Sequence, residues 1–321
     1  MMAWTDRHCR YFHRQLSRRA LLYTEMVTSA ALVRGGAVHL LEFSEQEHPV
    51  ALQLGGEGAK ELAEATRMAQ EAGYKEVNLN VGCPSDRVQS GTFGAVLMKR
   101  PAHVADCLAE MQAAVDIPVT VKCRIGVDDQ EPTEILPTFL EAVSAAGIRQ
   151  VTIHARKAWL KGLSPKENRE VPPLDYHLVY QMVSEFPALS IALNGGLETL
   201  DAAEDALAAG VDGIMIGRAA YHKPFDVLAE ADQRLYGAET EPLSRFEAVE
   251  AMVPYIANHL QAGGNLHQVT RHMLGLFAGQ PGARAWRRIL SEKATGSGAG
   301  VDVLFEARDA VRSEIEQQNA T

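Results

Sequence analysis

Val77-Asn78-Leu79-Asn80-Val81-Gly82-Cys83-Pro84-Ser85 is the stretch of sequence that says most about the fold. Its first five residues alternate between apolar and polar side chains, which is the pattern of a β-strand with a buried face. A glycine ends this run, and a cysteine and a proline follow. A reactive side chain directly after a strand is typical of the carboxyl end of a strand in a parallel α/β barrel.

Six further runs rich in valine, isoleucine and leucine occur along the chain. Segments with apolar residues at helical spacing, such as 59–72, 101–115 and 200–209, separate several of them. This alternation predicts a parallel sheet covered by helices. The predicted strands are 21–27, 50–54, 77–81, 119–123, 150–154, 190–194 and 213–216.

The strand count and the end of the chain predict two regions. We expect an α/β fold, a (β/α)8 TIM barrel over residues 1–235, whose missing first strand would lie immediately before Met1. Closure of such a barrel leads us to expect a natural start about ten or more residues upstream. After a polar linker, the sequence is helical only, at 246–261, 266–277, 283–293 and 301–317. These helices predict a small domain over 243–321.

The composition narrows the class of protein. The chain has 321 residues and a net charge of −10, so any surface that binds nucleic acid must be a local basic patch. No apolar run is long enough to predict a membrane span. The four cysteines show no CxxC spacing, so we expect no disulfide framework, no metal site and a cytoplasmic protein.

Polar residues close six consecutive predicted strands. Active sites of parallel barrels lie at the carboxyl ends of the strands, so we expect these residues to form one site. They are Gln53, Asn80 with Cys83, Lys122, His154, Asn194 with Gly195 and Gly196, and Gly217 with Arg218. Any one glycine could be a plain turn, but glycines after the last two strands together predict a phosphate-binding loop.

Lys122 and Cys83 indicate the chemistry. Lys122 lies among valines, so it would either form a salt bridge or contact a ligand, such as the pyrimidine end of a flavin. Gln53 and His154 could add hydrogen bonds to that cofactor, although His154 could also be a satisfied buried histidine. Cys83 could be inert or a nucleophile, but no activating base lies nearby in the sequence. It could also be a proton donor, because thiols are mostly protonated at neutral pH. Its place in a Gly-Cys-Pro loop favours a functional role.

Residues 78–85 resemble the signature of the tRNA-dihydrouridine synthase family, and nearly the whole chain shares the likeness. Segments 162–170, 172–176 and 281–288 are similar to the subfamily that acts on uridines 20 and 20a of tRNA. The other matching segments are Trp4-Thr5-Asp6-Arg7-His8, Tyr23-Thr24-Glu25-Met26, Leu52-Gln53-Leu54-Gly55-Gly56, His154-Ala155-Arg156-Lys157, Asn194-Gly195-Gly196 and Gly217-Arg218.

The resemblance implies an FMN-dependent barrel that uses NADPH to reduce a uridine in the D-loop of tRNA to 5,6-dihydrouridine. It implies that Cys83 is the catalytic acid. Independently of the resemblance, segment 88–98 carries Gly91 and Gly94 and is predicted to be a lid over a bound ligand. The FMN-binding residues would be Met1, Met2, Gln53, Lys122, His154, Asn194, Gly195, Gly196, Gly217 and Arg218. The residues that contact tRNA would be Asn80, Lys166, Arg169, Arg284 and Arg287.

The charge pattern fits a tRNA partner. Between Gly264 and Lys293 there are five arginine or lysine residues and a single acid, Glu292, which predicts a basic stripe on the helical domain. Trp286, within this stripe, is expected to be a packing anchor. We expect the protein to act as a monomer, and the alternatives are an FMN barrel acting on a free pyrimidine and a non-catalytic tRNA-binding protein.

Overall fold

The computed structural model describes residues 1–85 and 93–320, in which a curled parallel sheet is surrounded by helices. The sheet has seven strands in chain order, and each strand pairs with the next in parallel. The predicted architecture of the TIM-barrel type is confirmed, and all seven predicted strands are present. They are β1 (Leu22–Thr28), β2 (Val50–Gly55), β3 (Glu76–Val81), β4 (Val119–Arg124), β5 (Gln150–His154), β6 (Ser190–Asn194) and β7 (Gly213–Met215).

Helices cover the outside of the sheet and continue to the end of the chain. Those of the barrel region are α1 (Arg7–Leu16), α2 (Ser29–Val33), α3 (Ala59–Glu71), α4 (Pro101–Ala113), α5 (Pro132–Ala145), α6 (Tyr176–Glu185), α7 (Leu200–Ala208), α8 (Arg218–His222), α9 (Pro224–Leu228) and α10 (Ala231–Tyr236). The C-terminal ones are α11 (Arg245–Gln261), α12 (Leu266–Thr270), α13 (Ala283–Lys293) and α14 (Val301–Asn319). No helix among the described residues is both long and apolar enough to cross a lipid bilayer.

Two of the predicted helices are interrupted. The helix that the sequence predicts over 225–235 divides into α9 and α10, and Asp232 in α10 accepts hydrogen bonds from the distant Ser17 hydroxyl and Arg18 N–H. The helix expected at 266–277 ends at Thr270 and continues as turns. Glycines at 275 and 279 disfavour helix in that segment.

The two faces of the strands differ in chemistry. On β3 the side chains of Val77, Leu79 and Val81 are fully buried in the main apolar core, against the surrounding helices. The intervening Asn78 and Asn80 face the interior of the curled sheet, where β4 places Thr120 and Lys122 beside them in register. The interior of the curled sheet is therefore lined by polar side chains, which can form hydrogen bonds to a ligand.

A second apolar core lies among the C-terminal helices. It contains Met252 of α11 and Trp286 of α13, and also Tyr11 and Phe12 of α1. The first helix of the chain thus packs into the core of the C-terminal helices. An ion pair between Asp6 and Arg271 ties the same two parts of the chain together.

Candidate active site

The strand register gathers the predicted residues at one edge of the sheet. Asn80 pairs with Lys122 across β3 and β4, while His154 of β5 lies between Arg124 of β4 and Asn194 of β6. Because the strands are parallel, their carboxyl ends meet at this edge. The structure therefore brings together side chains that are far apart in the sequence.

Asn80 organises the loop that carries Cys83. Its side-chain oxygen accepts hydrogen bonds from the backbone N–H groups of Gly82, at 3.1 Å, and Cys83, at 2.9 Å. Its side-chain nitrogen donates to Gln53 Oε1 at 2.8 Å. Asn80 was predicted to contact tRNA. In this structure its side-chain oxygen is already hydrogen-bonded to the protein backbone.

Cys83 has the exposure that chemistry requires. It is half-buried, its Sγ donates to the Ser85 hydroxyl at 3.5 Å, and its carbonyl accepts from the Ala95 N–H at 2.9 Å. The other three cysteines, Cys9, Cys107 and Cys123, are buried free thiols. Cys83 is thus the most accessible cysteine of the chain, and its role as an acid stays a prediction.

Lys122 is a cation without an acidic partner among the residues that the structure describes. Burial lowers its pKa to about 8, and the neighbouring charge of Arg124 acts in the same direction. No hydrogen bond or ion pair from its ammonium group to the described residues is present. No structural salt bridge of Lys122 is present within these residues, and its role in binding a ligand stays a prediction.

His154 lies against the predicted glycine pair. Burial and the charges of Arg124 and Lys122 hold its pKa well below the usual range, so the ring is neutral. Gly195 has a φ of +103°, and a Cβ there would lie 2.5 Å from the His154 ring. Gly196 has a φ of +73°. Backbone conformation and close approach both require glycine at position 195.

Three further predicted cofactor residues, Asn194, Gly217 and Met1, lie at the same edge and have their own protein contacts. Asn194 donates to the carbonyl of Met215 at 2.7 Å. Gly217 precedes α8, and a Cβ added there would meet the Met1 sulfur at an ordinary 3.4 Å. Met2 is 63% exposed.

Arg218 is engaged by the loop that follows β5. Its guanidinium forms an ion pair with Glu170 at 2.6 Å and donates to the carbonyl of Arg169 at 3.2 Å. A phosphate at this position would therefore compete with the Glu170 carboxylate for the Arg218 guanidinium or share it.

Several arginines make this edge of the sheet positively charged. Burial lowers the pKa of Arg124 to about 10, and Arg156 and Arg169 lie close enough to affect it. The Nε atoms of Arg156 and Arg169 are buried and have no hydrogen-bond partner in the described part of the chain. Unsatisfied donors and cations in one place are suited to an anionic, acceptor-rich ligand.

Two residues that hold the site together were not predicted. Arg124 donates to carbonyl oxygens of Gly82, Lys157 and Asn168. The fully buried side chain of Asn168 exchanges hydrogen bonds with both the N–H and the carbonyl of Trp159. Arg124 follows Lys122 by two positions, so strand alternation could have placed it on the same face.

The predicted lid falls partly outside the described residues, which omit 86–92. Its second half contains a short 3₁₀ helix, Gly94–Lys99, in which Ala95, Leu97 and Met98 are buried. These side chains pack in the main apolar core, and the lid stays a prediction.

The basic stripe on α13 contains exposed arginines. Arg284 and Arg287 form no ion pair with any residue that the structure describes, whereas Arg288 lies 3.8 Å from Glu292. Trp286 is fully buried and donates from Nε1 to the carbonyl of Met273 at 3.0 Å, which confirms that it is a packing anchor. Lys166, in the loop after β5, is exposed.

The fold and this site define a parallel α/β-barrel enzyme with a cationic ligand site beside an accessible thiol. The sequence model of the family described as dihydrouridine synthase (Dus) matches residues 1–313. The chain belongs to the dihydrouridine synthase family. The family and the enzyme class predicted from the sequence are confirmed.

Curated relatives match over almost their whole length. A protein of Shewanella oneidensis is 54% identical over 318 residues, which cover 99% of this chain and 94% of the relative. A protein of Vibrio cholerae is 56% identical over 308 residues, covering 96% and 93%. A protein of Yersinia pestis is 55% identical over 308 residues, covering 96% and 88%. All three are named tRNA-dihydrouridine(20/20a) synthase.

Proposed function

We propose that this protein reduces uridines 20 and 20a in the D-loop of tRNA to 5,6-dihydrouridine, with FMN as bound cofactor and NADPH as reductant. The names of relatives more than 50% identical over nearly the full chain support this substrate. The observation that carries the chemistry is Lys122, a half-buried cation beside the Cys83 loop that lacks an acidic partner among the described residues.

The residues at the strand ends fit FMN. The Lys122 ammonium group has no partner among the described residues and would lie against the pyrimidine end of the flavin, which carries negative charge when reduced. Gly195 leaves room where a Cβ would meet His154. The cationic edge suits a phosphate. The residues proposed to hold FMN are Met1, Met2, Gln53, Lys122, His154, Asn194, Gly195, Gly196, Gly217 and Arg218.

The chain's own residues would then complete the reduction. Bound FMN, reduced by NADPH, would supply the hydride that adds to C6 of the uracil. Cys83 would donate the thiol proton to C5, so that the C5–C6 double bond becomes a single bond and the thiol becomes a thiolate. The backbone bonds from Asn80 hold the Cys83 loop in position for that proton transfer.

The substrate would be held at two places. The target base must leave the folded RNA to reach the barrel, as other base-modifying enzymes require. Asn80, Lys166 and Arg169 would contact the RNA around that base. Arg284 and Arg287, exposed on the C-terminal helices, would contact phosphates at a distance from it.

The wider organisation belongs to the same proposal. An FMN-binding barrel over 1–235 and a tRNA-binding helical domain over 243–321 would act together, with α1 packed against the latter. We propose a monomer that works in the cytoplasm, where its four free cysteines would remain reduced.

Purified protein tests this function directly. We expect dihydrouridine to form from NADPH and unmodified tRNA, and not from free uridine. Equal activity on free uridine would favour an FMN barrel acting on free pyrimidines. Binding of tRNA without any dihydrouridine, in protein saturated with FMN and NADPH, would favour the non-catalytic alternative.

A further inference from the structure

A continuous line of hydrogen bonds runs from the Cys83 loop to the opposite end of the sheet. The first part crosses from β3 to β2: the Cys83 N–H donates to Asn80 Oδ1 at 2.9 Å, and Asn80 Nδ2 donates to Gln53 Oε1 at 2.8 Å. Gln53 Nε2 then donates to Asn78 Oδ1 at 2.9 Å. In each of the three side-chain amides, the oxygen accepts the hydrogen bond on the side nearer the Cys83 loop, and the nitrogen donates the one on the farther side.

The line ends at a carboxylate. Asn78 Nδ2 donates to Thr120 Oγ1 at 2.8 Å, and the Thr120 hydroxyl donates to Glu76 Oε1 at 2.7 Å. Asn78, Thr120 and Glu76 are buried. Glu76 lies at the start of β3 and Cys83 follows its end, so the line spans the length of the strand.

The carboxylate gives this line its direction. Glu76 Oε1 accepts hydrogen bonds from the hydroxyls of both Thr120 and Tyr23, so the Thr120 hydroxyl has given its hydrogen to Glu76 and is left as an acceptor for Asn78. Asn78 must then present its nitrogen to Thr120 and its oxygen to Gln53. Gln53 must therefore present its nitrogen to Asn78 and its oxygen to Asn80. Asn80 in turn donates from its nitrogen to Gln53, and its oxygen accepts from the backbone N–H groups of Gly82 and Cys83.

We propose that Glu76 is a positioning residue for the proposed reaction, acting through Thr120 and Asn78 to fix the orientations of the Gln53 and Asn80 amides and thereby the Cys83 loop. This inference rests on the proposed function for its effect on catalysis. The structural part of the inference, that Glu76 fixes the orientations of these amides, does not depend on the proposed function. Buried polar networks of this kind specify one arrangement only when every member is satisfied.

The direction also determines what the site can recognise. Asn80 Oδ1 already accepts two hydrogen bonds and Gln53 Oε1 accepts one, while each amide nitrogen has a second hydrogen beyond the one it donates in the line. Lys122, paired with Asn80 in register, adds further donors. This side of the site therefore offers donors and selects a ligand edge that presents acceptors, such as the carbonyl oxygens of a pyrimidine ring.

Tyr23 provides a matched control. Its hydroxyl donates to the same Glu76 oxygen at 2.7 Å and also contacts the Thr120 hydroxyl, but Tyr23 lies on β1 and no hydrogen bond between Glu76 and Cys83 passes through it. Tyr23→Phe removes one hydrogen bond to Glu76, as Thr120→Val does, and leaves the path from Glu76 to the loop intact. If the loss of any one hydrogen bond to Glu76 were enough to disturb the Cys83 loop, both variants would show the disturbance.

The test measures hydrogen exchange of the Gly82 and Cys83 amides in ligand-free protein, together with kcat and KM for tRNA. Thr120→Val should accelerate exchange at both amides about tenfold and lower kcat about tenfold, with little change in KM. Thr120→Ser keeps the hydroxyl and should restore both. Tyr23→Phe should leave both close to wild type.

Glu76→Gln is the second route if Thr120→Val does not fold. A glutamine side chain can donate as well as accept, so it permits both directions and should accelerate exchange at the two amides by a smaller factor. Wild-type exchange in Thr120→Val or Glu76→Gln would overturn the proposal, as would an equal effect of Tyr23→Phe. If exchange changes as expected but wild-type protein forms no dihydrouridine, the proposed function fails and the positioning line stands.

Discussion

The Nε of Arg124 donates a hydrogen bond to the carbonyl oxygen of Gly82 at 3.1 Å, directly before Cys83 in the chain. The same guanidinium reaches the carbonyls of Lys157, at 3.1 Å, and Asn168, at 2.8 Å. One buried cation at the end of β4 thus joins the loops that follow β3 and β5. The planar fork of arginine supplies the separate donors that this requires.

Arg124→Lys should loosen both loops. Lysine offers a single nitrogen and cannot serve three carbonyls, so we expect a loss of about 2–4 kcal/mol in the free energy of unfolding. Chemical denaturation measures this loss, and hydrogen exchange should rise across 157–168. Arg149→Lys is the control, because Arg149 also bonds backbone carbonyls but is exposed. An equal effect of the two changes would contradict the role given to Arg124.

Lys122→Met should stabilise the ligand-free protein while removing activity. The pKa of Lys122 falls from 10.5 to about 8 on folding, so its charged form costs stability below pH 8. We expect the variant to gain about 1–3 kcal/mol at pH 7. The gain should shrink as the pH rises from about 8 towards 10.5, where both states of the wild-type lysine lose the proton.

Denaturation of flavin-free protein at several pH values measures this gain, and an activity assay measures the loss. The exposed Lys60→Met on α3 is the control and should show neither effect. Retention of wild-type activity in Lys122→Met would remove the cation from the proposed mechanism.

Gly195→Ala should disturb the site more than backbone strain alone explains. The added Cβ would lie 2.5 Å from the ring of His154, at a φ of +103°. Gly210 has nearly the same φ, +108°, with nothing within 4 Å of an added Cβ, so Gly210→Ala measures the strain alone. Each change should cost about 1–3 kcal/mol from strain.

Gly195→Ala should, in addition, release bound flavin, which absorbance of the purified protein records. Gly210→Ala should retain it. If both variants retain flavin equally, the contact between Gly195 and His154 does not shape the cofactor site.

Replacement of Arg284 and Arg287 by alanine should weaken tRNA binding without affecting stability. Both side chains are exposed and have no ion-pair partner among the described residues. We expect about a tenfold weaker Kd for the double variant. The slope of log affinity against log salt should fall by about 1 for each phosphate that the variant no longer binds. Arg67→Ala, an exposed arginine on α3 paired with Glu64, should bind tRNA as wild type does. Equal weakening by Arg67→Ala would indicate a general charge effect.

The sequence predicts the strands well because their pattern is local. Alternation around Asn78 and Asn80, with a glycine and a cysteine after them, marks both the strand and its functional end. Trp286 is likewise predictable as a packing anchor because apolar residues surround it at helical spacing.

Contacts between distant segments could not be predicted. The pairing of Arg218 with Glu170 spans 48 positions, and the packing of Tyr11 and Phe12 with the C-terminal helices spans most of the chain. The hydrogen bond that the Ser17 hydroxyl donates to Asp232 of α10 spans 215 positions. Local periodicity carries no information about such contacts, because they depend on how the elements pack.

The most direct test of the central claim is the dihydrouridine content of tRNA from a strain lacking its own enzyme and carrying this protein or its Cys83→Ala variant. We predict that the wild-type protein and Cys107→Ala, which changes a buried thiol of α4, restore dihydrouridine. Cys83→Ala, at equal abundance and flavin content, should leave it at background. Full restoration of dihydrouridine by Cys83→Ala would contradict the assignment of Cys83 as the proton donor.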